Sequence, residues 1–432
     1  VPTKTRQDIQ SADVVVIGAG VAGVSAARAL SQGGARVVVV EASDRVGGRV
    51  RTIRDFAEVP VEAGAEFIHG EHAATWSDVR AAGLVVQAVP YLRASWLNLG
   101  TSTRWLPIQL AHPGVWPTAD ILWSLRHLRG DDHSAAAFLD EKGYRGTARQ
   151  LAQLALTGHL PGSAEEVGVR GLVADGVPRL EKGLNHRVLD GYDRLPAHVA
   201  IGLDVRFGFE VATIAWSPDA VEITARDGQR VRARVGITTL PHGVLRAGMV
   251  TFDPALPQGK VSAVSRMATG AVAKVLLRFD ERFWPRRMAQ LVCGDGPLTV
   301  YWSTSFGTEG PPVLIAYATG PRAIELSRAG DALAIETALD DLGRLFPRVV
   351  PRRLVRVARF VDWLTEPTAL GGHTFLPPGA VGARQQLGAS DTGALVWAGS
   401  ATVSRPVADT VEAAYLSGLT AARQASVILR LH

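Results

Sequence analysis

The sequence predicts an α/β protein on three observations. A strand, a glycine turn and a small-residue helix follow one another without a gap, a second apolar strand ends in an acid, and the apolar content suits a large core. Of 432 residues, 47% are hydrophobic, and the mean hydropathy is +0.11. A chain of that length accommodates two or three domains.

Residues 13–17, Asp-Val-Val-Val-Ile, read as a buried strand. Gly18, Gly20 and Gly23 make the turn that follows. Gly18 permits the tight reversal, Gly20 lets the backbone approach a pyrophosphate, and Gly23 lets the next helix pack closely on the strand, so that its N-terminus faces the phosphates. The second strand, Val37 to Val40, leads into Glu41, where a carboxylate accepts hydrogen bonds from the adenosine ribose hydroxyls. GxGxxG alone is a weak signal. Strand, turn, helix, strand and acid in that order predict a Rossmann-type site for an adenine dinucleotide.

The residues after Glu41 choose between dinucleotides. Gly47, Gly48 and Arg49 supply backbone N–H groups and a fork of donors for a second face of a pyrophosphate. The stretch 42–52 resembles the segment after the ribose-binding acid in FAD enzymes of the flavin-containing amine oxidase superfamily, and that resemblance implies FAD as cofactor. Residues 59–70 are similar to the family segment that passes the isoalloxazine ring, which implies flavin contacts from Gly64, Ala65, Glu66 and Phe67. Small residues there let the backbone approach a planar group. His69 matches a histidine that several polyamine oxidases place in the substrate channel, and its pKa range suits the orientation of a cationic amine. A satisfied structural histidine is the alternative. Glu62 and Glu66 either attract a cation or sit as ordinary exposed carboxylates.

Lysine stands at five positions only, Lys4, Lys142, Lys182, Lys260 and Lys274, in a chain otherwise supplied with arginine. The apolar alternation around Lys274 predicts a strand with the lysine in its interior, where an ammonium needs a partner or ordered water. The alternative is a lysine at a strand end whose head reaches solvent. Lys-Val-x-Leu-x-Phe followed by Phe-Trp resembles the family strand whose lysine holds a water against flavin N5.

Two C-terminal segments extend the resemblance. Residues 395–402 and 410–418 are similar to the family's closing strand, loop and helix, which implies flavin contacts from Gly399, Ser400, Thr410 and Val411, with helix N–H groups facing the ribityl and pyrimidine end. Ser400 stands where the family usually has glutamate. Residues 363–379 resemble the family's Asp-Pro-x-x-x-Gly-x-Tyr-Ser motif. Gly372 takes the place of the flavin-linked cysteine of monoamine oxidases, which implies noncovalent FAD. His373 takes the place of the aromatic-cage tyrosine, with Thr410 near the opposite wall.

The matches follow the family order along nearly the whole chain. They imply a Rossmann-type FAD-binding domain from residues 1–75, 185–260 and 376–432, and an α+β substrate-binding domain from 76–184 and 261–375. Val211 would lie on the strand that contacts adenine, and residues 238–245 would form a return strand beneath the flavin. The chemistry implied is hydride transfer from the carbon bearing an amine nitrogen to flavin N5, with Lys274, His69 and His373 as catalytic residues. Water hydrolyses the resulting imine to an aldehyde or ketone, and oxygen takes up the electrons to give peroxide. An L-amino-acid oxidase, a desaturase-type FAD enzyme and a noncatalytic flavin-binding module are the rival readings.

Composition excludes other partners. The net charge of +5 and pI near 9.6 arise from dispersed basic residues with no interleaved aromatic stripe, so nucleic acid is not an expected partner. No apolar run reaches the roughly 18 residues of a membrane span, and the polar start of the chain lacks a signal-peptide core, so a cytoplasmic location is expected. Cys293 is the single cysteine, which rules out an intramolecular disulfide and reads as a buried free thiol. No metal ligands are among the candidate residues.

Overall fold

The structure, a computed structural model, describes residues 10–90, 93–98, 100, 102–110, 116–158, 160–177, 184–404 and 408–430. Lys4, with most of the polar start of the chain, and Lys182 lie outside the described residues. Among those described, two large sheets dominate, one of eight strands and one of seven.

The eight-stranded sheet is built on the apolar run of the first strand, Gln10–Ile17. It pairs in parallel with Val37–Val40 on one side and Arg230–Thr238 on the other. Asp204–Arg206 extends the sheet beyond Val37–Val40, and Leu395–Trp397 joins Arg230–Thr238, again in parallel. Beyond these, Val221–Ala225 and Val211–Trp216 run antiparallel, and Thr251–Asp253 closes the edge. Both faces of the first strand are covered, which is why its sequence is apolar without alternation. Val14 and Val16 pack under the helices Val21–Gln32 and Val411–Arg430, and Val15 and Ile17 pack on the opposite face with Leu387 and Trp397. The expected return strand at residues 238–245 is a correction: the strand ends at Thr238, and residues His242–Arg246 are helical. Pro241 has no N–H for a ladder, and its φ of -60° sets up the helix start instead.

The glycine turn holds this unit together by close approach. Gly18 has φ +100°, the left-handed side that favours glycine. A Cβ on Gly23 would lie 1.9 Å from the Gly18 carbonyl oxygen, so the first helix sits against the turn with no room for a side chain. A Cβ on Gly20 would meet nothing within 4 Å.

The seven-stranded sheet runs in the order Val355–Asp362, Val272–Phe279, Val313–Thr319, Val300–Ser303, Gln290–Cys293, Ser95–Asn98 and Thr103–Trp105. Strand periodicity divides Val272–Phe279 between two environments. Ala273, Val275, Leu277 and Phe279 pack with residues of the helices Gly320–Ala329 and Asp331–Leu345, whereas Val272 and Leu276 belong to a second cluster with Trp302 and Tyr317. Lys274 falls in the second set by the same period. It is 2% exposed, so it does not reach solvent from a strand end. A helical layer with its own core, including Leu122, Phe138 and Leu156, completes the wall opposite.

Gly23→Ala forces the first helix away from the turn, an overpacking cost of about 1–3 kcal/mol. We expect a clear drop in Tm for Gly23→Ala and little change in the Tm of the cofactor-free chain for Gly20→Ala. Equal drops would contradict the assignment of close packing to Gly23 alone.

Candidate active site

One cavity of about 1530 Å³ is lined by residues of both sheets, more than the about 300–1,000 Å³ of ordinary ligand pockets. At one end stand Gly18, Gly20, Glu41, Gly48 and Val211; towards the other stand Gly64, Ala65, Glu66, Phe67, His69, Lys274 and His373, with Arg49, Gly399, Ser400, Thr410 and Val411 also on the lining. Of the predicted site residues, Gly23 alone is not on the lining, since its role is to pack the helix onto the turn.

The first end fits a dinucleotide. The helix Val21–Gln32 starts at Gly20 with no side-chain cap and no acid in its first turn, so its first N–H groups are available to an anion. Gly47 N donates to Ala19 O at 2.9 Å, which lays the second glycine loop against the first. Glu41 is fixed by Ala19 N at 2.7 Å and by Ser43 N and Oγ at 2.9 and 2.8 Å, yet still lines the cavity. Val211 is placed there by the strand Val211–Trp216.

Towards the second end, Lys274 is enclosed by acceptors. Its Nζ donates to Glu62 O at 2.9 Å, Gly64 O at 2.8 Å and Glu66 Oε2 at 3.0 Å, and lies 5.2 Å from the centre of the Trp302 ring. Three protein acceptors thus match the three N–H donors of an ammonium. Glu66 accepts on its other oxygen from Arg187, also at 3.0 Å, and Arg187 holds Ser303 O at 2.7 Å. Glu62 and Glu66 are both buried, which corrects the reading of exposed carboxylates: the cations attracted by Glu66 are the protein's own. Glu62 accepts from Thr52 Oγ1 and Tyr192 N, both at 2.8 Å, and burial pushes its pKa up to about 8, assisted by the neighbouring Glu66. The smallness of Gly64 has a second cause, because a Cβ there would lie 1.9 Å from Arg49 O.

Between the two ends, Asp409 organises the closing loop. Held at φ +56°, its buried carboxylate accepts from Ser400 Oγ, Thr374 N and Thr374 Oγ1, and pairs with Arg49 at 3.5 Å. Arg49 also donates to Ser400 Oγ at 2.9 Å and to Gly372 O. Burial alone raises a carboxyl pKa, but Arg49, His373, Arg384 and the Ser400 hydrogen bond hold Asp409 well below the usual carboxylate range. Asp409 O lies 3.3 Å from His373 Nδ1, and since a carbonyl only accepts, Nδ1 carries the proton and Nε2 keeps its lone pair. His69 Nδ1 is 2.9 Å from Asn185 Oδ1. Desolvation lowers the pKa of His373, favouring neutral imidazole, and acts in the same direction on His69, whose ring is open to the cavity and not packed in protein. Thr410 Oγ1 accepts from Ala413 N at 3.1 Å and so caps the final helix.

Nothing in the local sequence marks Arg187, Asp409, Trp302 or Tyr317 as site residues. Trp302 and Tyr317 lie tilted by 35° with centroids 4.9 Å apart, and Phe67 meets Trp302 edge-on at 5.7 Å, giving the cavity an aromatic wall. Alternation in Val300–Ser303 and Val313–Thr319 is hidden because both strands are buried throughout. Cys293 is buried in the cluster on the other face of the seven-stranded sheet, so no cysteine lines the cavity.

A family model described as flavin containing amine oxidoreductase matches residues 21–95 and 124–426. Polyamine oxidase 4 of Oryza sativa subsp. japonica is 28% identical over 98% of this chain and 90% of its own length. Among solved structures, cyclohexylamine oxidase from Brevibacterium oxydans IH-35A aligns with a TM-score of 0.84 at 21% identity, covering 97% of this chain and 99% of that one. A cofactor-binding redesign of putrescine oxidase aligns equally well, with a TM-score of 0.84 at 20% identity, over 98% of this chain and 100% of that one.

The raised pKa of Glu62 makes stability depend on pH. The folded state holds the proton to about pH 8, while the unfolded carboxyl releases it near 4.5, so this contribution is complete below pH 4.5 and is lost as pH rises through 8. Glu62→Gln keeps the shape and removes the titration. Its Tm should gain on that of the wild type steadily between pH 5 and 9; parallel Tm curves would contradict a buried, protonated Glu62.

Proposed function

The chain belongs to the flavin-containing amine oxidoreductases, and from that premise we propose how its cavity divides the work of FAD-dependent amine oxidation. One observation carries the proposal: a single cavity runs from the glycine turn and Glu41 to Lys274, His69 and His373. FAD, when bound, supplies the acceptor for the two electrons that leave an amine C–N bond. Gly18, Gly20 and Glu41 would hold its adenosine and pyrophosphate half, and Arg49, Ser400, Thr410 and Val411 the remainder. Gly372 replaces the linking cysteine and Cys293 is remote, so the cofactor is held noncovalently.

The protein's own contribution is position and proton control. An amine yields electrons from its neutral nitrogen, and the lone pair on His373 Nε2 suits it to accept an ammonium proton, with Asp409 O holding the ring. His69, fixed by Asn185, is the second candidate for orienting the amine. Lys274 positions the segment 62–66 through two backbone carbonyls and Glu66, and its ammonium adds a positive charge to that part of the wall. Oxygen is the proposed electron acceptor, with peroxide as its product. The proposed division into an FAD-binding domain and a substrate-binding domain is supported by strand membership. All strands of the eight-stranded sheet fall within 1–75, 185–260 and 376–432, and all those of the seven-stranded sheet within 76–184 and 261–375.

The purified chain should be yellow, release all its FAD on acid denaturation, lose colour when an amine is added without oxygen, and regain it with peroxide when air is admitted. A chain that stays yellow with every amine tested but is bleached by dithionite contradicts the proposal. Lys274→Met should retain FAD and slow the return of colour more than its loss; rates unchanged from the wild type in both half-reactions would leave Lys274 a structural residue.

A further inference from the structure

Charge on the cavity wall limits what kind of amine can enter. Five carboxylates line it among the described residues: Glu41, Glu66, Asp175, Glu210 and Asp409. Four already face a protein cation. Glu66 sits between Lys274 and Arg187 at 3.0 Å each, Asp175 accepts from Nε and Nη2 of Arg384 at 2.8 Å each, Glu210 meets Arg226 at 2.5 Å, and Asp409 meets Arg49 at 3.5 Å. The fifth, Glu41, stands at the dinucleotide end, fixed by Ala19 and Ser43. On the substrate side the lining is largely apolar, with Leu106, Leu122, Leu151, Leu154, Trp96 and Trp302, and the charged side chains it adds, Arg93 and Arg126, are cations.

A diamine or polyamine carries a second ammonium at neutral pH. Burying that charge without a carboxylate is costly, and among the described residues each lining carboxylate on the substrate side is neutralised. An apolar body, by contrast, gains from each group it buries. Resting on the amine-oxidase reading above, we infer that the substrate is an amine with a single nitrogen carried on an apolar body, and that the chamber refuses di- and polyamines. Glu66 is the determinant: it is a carboxylate of the chamber wall, but Lys274 and Arg187 already occupy it.

Anaerobic stopped-flow reduction of the FAD-loaded enzyme tests this with butylamine, hexylamine, cyclohexylamine, 1,6-diaminohexane and spermidine. The amine concentration giving half-maximal reduction should fall about fourfold per methylene from butylamine to hexylamine. For 1,6-diaminohexane it should be about a hundredfold higher than for hexylamine. A diamine or spermidine that equals or betters hexylamine overturns the inference while amine oxidation stands. Flavin that dithionite bleaches and that no monoamine, diamine or polyamine reduces overturns the amine-oxidase reading itself. Arg187→Gln releases Glu66 from one cation and should narrow the gap between hexylamine and 1,6-diaminohexane; an unchanged gap removes Glu66 as its cause.

Discussion

A buried carboxylate between two buried cations is the constraint on which the cavity depends. Glu66 joins Lys274 of the seven-stranded sheet to Arg187 of the short strand Asn185–Val188, and Lys274 also binds the Glu62 and Gly64 carbonyls. Three segments distant in sequence therefore meet at one charged point between the glycine-rich loops and the aromatic wall. Such a cluster is a poor source of net stability, because desolvating three charges offsets much of their attraction. Removing one member is costly, however, since it leaves the others buried without full compensation. The cluster thereby fixes geometry, which an apolar contact in the same place would do less sharply.

The same cluster sets the electrostatics of function. The cluster itself carries one positive charge in excess, places the ammonium beside the aromatic face of Trp302, and removes the carboxylate that a polycation would seek. Asp409 performs the corresponding task for the closing loop. It gathers Arg49, Ser400 and Thr374 by its side chain and His373 by its carbonyl. A carboxylate thus adjoins Ser400, where the resemblance led us to expect glutamate, but it comes from a residue nine positions later in the chain.

What the sequence discloses depends on how local the cause is. The first strand, the glycine turn and Glu41 are legible because each responds to neighbours a few residues away, and the turn chemistry admits few alternatives. Lys274 is legible as a strand residue because period two survives on its strand, and its place opposite the helices follows from the same alternation. Arg187 and Asp409 are not legible. One is an ordinary member of an arginine-rich chain and the other an acid in a loop, and each acquires a role through partners many residues away. Residues 238–245 mislead for a different reason: the ladder stops at Thr238, and Pro241, which has no N–H to continue it, starts a helix instead.

The most direct measurement of the central claim is a double-mutant cycle on Glu66 and Lys274, read as Tm of the FAD-loaded protein. If Glu66 exists to compensate buried cations, Glu66→Gln lowers Tm far more when Lys274 is present than in the Lys274→Met background, because the carboxylate then has one cation fewer to neutralise. Equal Tm losses in the two backgrounds would mean that the pair is uncoupled, and the cavity would have to owe its form to something other than this cluster.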